Sequence, residues 1–111
     1  GVISYEIVRL MKEGLSPQKA CEKAVKELDA RLKRTRGEAG DISVVEMNRN
    51  GDFGAATNID NFSFVVATKS LAPTVFRVHP QPDGTMSHEL TSKEWLESYL
   101  EERMKPLEVK E

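Results

Sequence analysis

Gly40-Asp41-Ile42-Ser43-Val44-Val45-Glu46-Met47-Asn48-Arg49-Asn50-Gly51-Asp52-Phe53-Gly54-Ala55-Ala56-Thr57 decides how the rest of the chain is read. Its first half is rich in β-branched and apolar residues, so residues 41–47 read as a strand. Asn50-Gly51 is the pair that accepts positive φ at both central positions of a tight turn, and a second short strand, 53–57, follows it. The two strands should pair as a hairpin.

Upstream of the Gly37-Glu38-Ala39-Gly40 break the period is helical. Ile3, Ile7, Leu10 and Met11 fall on one face of a helix over 2–13, stopped by Gly14. Ser16 then caps a second helix with Pro17 in its first turn, and Ala20, Cys21, Ala24, Val25, Leu28 and Leu32 share its apolar face. Lys19, Glu22, Lys23, Lys26, Glu27 and Asp29 read as solvated charges on its polar face. Downstream, 58–61 is a loop and Phe62 to Thr68 a third strand, apolar on both faces toward its end, as in a sheet covered from two sides. Thr74 to His79 alternates like a half-exposed fourth strand, ended by the turn signals Pro80, Pro82 and Asp83-Gly84. Ser92 caps a last helix reaching Met104, with Trp95, Leu96, Tyr99 and Leu100 as its apolar stripe and Pro106 beyond it. The tail Glu108 to Glu111 is expected to fray. The expected class is α+β: two helices, antiparallel strands and a C-terminal helix.

Composition excludes several functions. The chain has 111 residues, 39% hydrophobic and 31% charged, with a formal net charge of -2. This is the make-up of one globular domain large enough to bury a core without a structural metal. One cysteine, Cys21, rules out a disulfide scaffold. The longest apolar runs, such as Phe64 to Ala67, are far short of the roughly 20 residues that span a bilayer. The first residues lack the basic and apolar regions of a signal peptide and do not read as a natural start. The balance of 16 basic against 18 acidic residues gives no reason to expect a nucleic acid or membrane partner.

The residues that could carry chemistry each have a plainer reading. There is no phosphate-binding loop, and Cys21, His79 and His88 lack zinc-ligand spacing, so neither metal nor cofactor is expected. Glu46-x-Asn48-x-Asn50-Gly51 mimics the first half of a calcium loop, but Thr57 stands where the closing acid belongs. Cys21 shares a helix face with Ala24, Val25 and Leu28 and reads as a buried, inert thiol. His79 at a strand end and His88 in a polar stretch read as surface residues. Arg31, Lys33, Arg34 and Arg36 gather where a helix C-terminus attracts cations, with no aromatic residue interleaved for base stacking.

A wider pattern does carry a resemblance. Val8-Arg9-Leu10-Met11-Lys12-Glu13-Gly14, Ser16-Pro17, Ala20-Cys21-Glu22-Lys23-Ala24, Gly40-Asp41-Ile42, Asn50-Gly51, Gly54-Ala55-Ala56-Thr57-Asn58 and Phe62-Ser63-Phe64 recur in this order and spacing. Together they resemble the C-terminal part of the glycosylasparaginase (aspartylglucosaminidase) family, the type 2 asparaginase branch of the N-terminal-nucleophile hydrolases. Residues 1–68 would be part of that domain, and 69–111, which depart from the family's short ending, an extension of it.

The resemblance implies a four-layer αββα sandwich in a self-cleaving amidohydrolase. There a new N-terminal threonine attacks the side-chain amide of an asparagine derivative, with its own α-amino group as base. It also implies two partners, the missing N-terminal portion of the same enzyme and a second processed protomer in a homodimer. No catalytic, substrate-binding or metal residue can be placed in this segment. Gly1 has no nucleophile, and Thr35, Thr57, Thr68, Thr74, Thr85 and Thr91 are interior and own no free amino group. The segment is therefore expected to be structural and inactive alone. The alternative is a free-standing α/β interaction module in which the stripe Trp95, Leu96, Tyr99 and Leu100 supplies the second cover layer.

Overall fold

A computed structural model describes residues 2–103; Gly1, the expected helix end at Met104, Pro106 and the tail Glu108 to Glu111 lie outside the described residues. Among the described residues the fold is α+β, with three helices and two antiparallel sheets. Helix α1 (Val2–Lys12) buries Ile7 and Leu10, as its spacing requires. Gly14, at φ +108°, lets the chain turn back into Ser16. The Ser16 hydroxyl accepts the Lys19 N–H at 3.2 Å and starts helix α2 (Pro17–Arg36). That helix buries Ala20, Cys21, Ala24 and Val25, the face read from the sequence.

Strands β1 (Ser43–Met47) and β2 (Phe53–Thr57) form the expected hairpin, with Val45 opposite Ala55 and Met47 opposite Phe53. Its turn differs from the expected form. Gly51 has positive φ but Asn50 does not: among the described non-glycine residues only Asn61 does. Asn48 instead spends its side-chain oxygen on the N–H groups of Asn50 and Asp52, making a longer turn in which Gly51 alone is left-handed.

The second sheet runs in the order β3 (Phe62–Val66), β4 (Thr74–Pro80), β5 (Met86–Leu90). Phe64 lies opposite Phe76, and Val78 opposite His88. Strand β5 falls in the stretch read only as polar. Its turn repeats the first one: Gln81 N–H donates to Thr85 O at 2.9 Å and Gly84 takes φ +89°. Helix α3 (Lys93–Arg103) closes the described chain, with Ser92 accepting the Trp95 N–H at 3.0 Å.

Two cores follow from the alternation along β2. Ala56 packs with Ile42 against the helices, among Ile7, Leu10, Ala20, Cys21, Ala24 and Val25. Ala55 points the other way, into Phe64, Val66 and Val78 of the second sheet, with Phe53, Phe62 and Phe76 around them. Two expectations fail here. Strand β3 is buried on one face only, because Val65 on the other is 60% exposed. The stripe on α3 is no cover layer, since neither core includes an α3 residue and Tyr99 and Leu100 are exposed. The β4–β5 hairpin covers Ala55 instead.

Candidate functional site

The chemistry-bearing groups collect around the junction of the two sheets. The first group lies under α2. Gly54 sits directly beneath its first turn: a Cβ there would stand 2.3 Å from the Gln18 backbone nitrogen and 2.5 Å from the Pro17 carbonyl carbon. Because the helix comes this close, the Gln18 side chain reaches the free edge of β2. It accepts the Ala55 N–H and donates to the Ala55 carbonyl, both at 2.9 Å, as a neighbouring strand would. Glu22, only 9% exposed, accepts from Gln18 at 3.2 Å and from the Met86 N–H at 2.8 Å. This corrects the reading of Glu22 as a solvated charge. It is a buried acceptor joining α2 to β5, and α-helical spacing alone does not mark it out.

The second group fixes the start of the inter-sheet connection. Asn58 accepts the Ile42 N–H at 2.7 Å and donates to Gly40 O at 2.7 Å and to Asp29 at 2.9 Å. Bonds from Lys33 and then Asn58 hold the Asp29 carboxyl below its ordinary pKa. Thr57 is buried, with its hydroxyl 3.0 Å from Ser43 Oγ and accepting the Ile59 N–H.

The third group lies on the outer face of the second sheet and had no clear signal in the sequence. Both ring nitrogens of His79 meet carboxylates: Nδ1 is 2.8 Å from Asp60 and Nε2 2.9 Å from Glu89. Asp60 and then Glu89 raise the His79 pKa above its ordinary value. Arg77 donates to the other Glu89 oxygen at 2.7 Å and to Asn61 at 3.3 Å. Its guanidinium carbon stands 4.7 Å from the centroid of the Trp95 ring, which stacks on Tyr99. What could have been seen is the period: residues 77 and 79 share a strand face, and 89 joins them once β5 is recognised.

The remaining candidates are dispersed. Cys21 is buried as expected, and desolvation, then Glu46 and Glu22, push its thiol up to about 12. His88 stands on the opposite sheet face from His79, edge-on to Phe64 at 6.1 Å; this partial burial of its ring lowers its pKa although much of the residue meets solvent. The side chains of the calcium-like stretch close their own turn, Asn48 bonding Asp52 at 3.0 Å. Lys33 pairs with Asp29 at 2.8 Å, and Arg31 and Arg34 line a groove with Ile3 and Glu6. No group of three or more metal-ligating side chains converges among the described residues. No described helix is long and apolar enough to cross a membrane.

One face is bare. Val45 and Met47 on β1, on the side away from the helices, are 43% and 42% exposed, and among the described residues β1 is hydrogen-bonded to a strand on one edge only.

No family model matches the chain, and no solved structure matches it. It is similar to the N(4)-(beta-N-acetylglucosaminyl)-L-asparaginase of Elizabethkingia miricola, with 36% identity over 65 residues. The match takes in 57% of this chain but 19% of that enzyme, so the chain spans about a fifth of the length of the curated relative it matches. The relative is an asparagine-amide hydrolase by name, and at most that family is indicated.

Proposed function

We propose that this chain is the C-terminal structural portion of an amidohydrolase that cleaves the side-chain amide of asparagine, N-glycosylated asparagine or an isoaspartyl bond. The 65-residue similarity to a glycosylasparaginase carries the reading. The bare face of β1 supports it: two exposed apolar side chains beside an unpaired strand edge are the surface a further strand layer covers. In this reading the N-terminal portion of the same enzyme supplies that layer, completing the αββα sandwich. It also supplies the threonine whose hydroxyl attacks the amide carbonyl, with its freed α-amino group taking the proton. The α-ammonium hands that proton to the departing nitrogen, which leaves as ammonia or an amine, and water then hydrolyses the acyl ester on the threonine, releasing aspartate and restoring the hydroxyl. Helices α1 and α2 cover one face of the sheet, and Gly54 and Gln18 set how closely α2 lies on it. Processed protomers pair as homodimers.

Intact-mass and N-terminal sequencing of the native material tests this reading. A companion fragment, or a precursor with an Asp-Thr junction, that hydrolyses an asparagine derivative is the expected result. A lone chain with neither would sink it. A second reading, a free-standing interaction module, draws on the second core, in which the β4–β5 hairpin already closes over Ala55. It predicts cooperative monomeric folding of residues 1–111 with no companion.

A further inference from the structure

The connection between the two sheets is short, four residues from Asn58 to Asn61, and is held at both ends by different chemistry. At its start, Asn58 is tied into the first sheet and α2 by neutral and charge-assisted bonds. At its far end, Asp60 reaches across to His79 on β4, and Asn61 takes the left-handed conformation, φ 66°, that turns the chain into β3. Asp60 is 79% exposed and has no other partner among the described residues.

His79 touches two carboxylates with its two ring nitrogens. A neutral imidazole carries one N–H and one lone pair, so it can donate to only one of them and turns a lone pair toward the other. The imidazolium donates to both. The charged groups facing His79 are Asp60 from the connection, Glu89 from β5 and, beside it on β4, Arg77; α3 meets the same face through Trp95 on Arg77. The two carboxylates are unequally held. Glu89 keeps Arg77 on its second oxygen whatever His79 does, whereas among the described residues Asp60 has only the imidazole.

We propose that His79 is a proton-operated latch on the hinge between the two sheets: as imidazolium it ties Asp60 of the connection to Glu89 of β5, and on losing its proton it releases Asp60 while Glu89 stays with Arg77. The sign follows from the raised His79 pKa. The latch is fully formed below the ordinary histidine value and opens as pH rises through the higher folded value. The inference does not depend on the amidohydrolase reading.

Histidine and backbone NMR titration of the full chain from pH 5 to 9 tests it, with the two histidines assigned by His79→Gln and His88→Gln. The expected result is a His79 midpoint above that of His88, with the backbone amides of Ile59 to Asn61 titrating at the His79 midpoint. Their exchange protection, corrected for the intrinsic pH dependence, should fall by roughly threefold or more across that midpoint. Amides of β5 should move little, and His79→Gln should abolish the loop titration while His88→Gln leaves it. Asp60→Asn should lower the His79 midpoint and keep β5 in place. A His79 midpoint at or below that of His88, loop amides that ignore it, or a loop titration that survives in His79→Gln each overturns the latch. Equal movement of β5 and the loop overturns the assignment of Asp60 as the released side.

Discussion

The half of the molecule built on α1, α2 and the β1–β2 hairpin is held by close approach, and the half built on β3, β4, β5 and α3 by rings and surface charge. In the first, alanines, a cysteine and Gly54 let a helix lie on a strand, and even Gln18 and Glu22 are drawn into buried bonds. In the second, Phe62, Phe64 and Phe76 stack at 5.5 to 6.1 Å and the outer face carries the Asp60, His79, Glu89 and Arg77 network. Close packing tolerates little substitution because nothing nearby can give way; ring clusters and exposed ion pairs can rearrange. The similarity to a glycosylasparaginase takes in 57% of the chain, and the motifs that carried the resemblance lie almost entirely in the closely packed half.

Gly54→Ala should break the first half most severely. The added Cβ meets backbone atoms of Pro17 and Gln18 at 2.3 to 2.5 Å, so α2 must lift off β2 and the Gln18 bonds to Ala55 must go with it. We expect a loss of about 3 kcal/mol or more. In thermal unfolding that is a midpoint lower by on the order of 10 °C or more. A fall of under about 1 kcal/mol would mean that the helix is not seated on that glycine.

Phe64→Leu should cost the second half about 2 kcal/mol, since the leucine fills most of the space but loses the ring contacts with Phe53, Phe62 and Phe76. Chemical denaturation measures it, and a shared transition with the wild type's slope would show that the two cores unfold together. Ser16→Ala removes the cap of α2 and should cost about 1 kcal/mol; a neutral effect would mean that Gly54 and Gln18 alone hold the helix start.

The two halves also differ in how much of them the sequence discloses. The helix boundaries, the Ser16 cap, the first hairpin and the face carrying Cys21 follow from local rules, because capping, periodicity and turn chemistry act within a few residues. Strand β5 does not, since Met86-Ser87-His88-Glu89-Leu90 has no β-branched residue, although Pro82-Asp83-Gly84 ahead of it is a hairpin signal of the same kind as Asn48 to Gly51. The buried role of Glu22 and the bridge at His79 rest on pairs 64, 19 and 10 residues apart. Such contacts exist only once the sheets are assembled. The bare face of β1 is legible as an apolar strand but not as an exposed one, because exposure depends on what else is present to cover it.

Deleting residues 92–111 should have the smallest effect, and it separates the two ways of reading α3. Its stripe of Trp95, Leu96, Tyr99 and Leu100 has the composition of a cover layer, which predicts that removing it would unfold the chain. In the structure the helix reaches the second sheet through Trp95 on Arg77, whose side chain is 17% exposed, so the contact falls between the roughly 0.5 to 1 kcal/mol of an exposed pair and the roughly 2 kcal/mol of a desolvated one. The Arg77 Nε–H is buried without a hydrogen-bond partner among the described residues. Removing the helix loses the stacking, and any water it lets reach that donor offsets part of the loss. Thr91, which anchors the end of β5 to the Val75 carbonyl, is retained. We therefore expect a loss of no more than about 1 kcal/mol, read by urea denaturation of the truncated and full chains. A loss above about 2 kcal/mol would make α3 a true layer and would move the weight of the second half from its phenylalanines to its last helix.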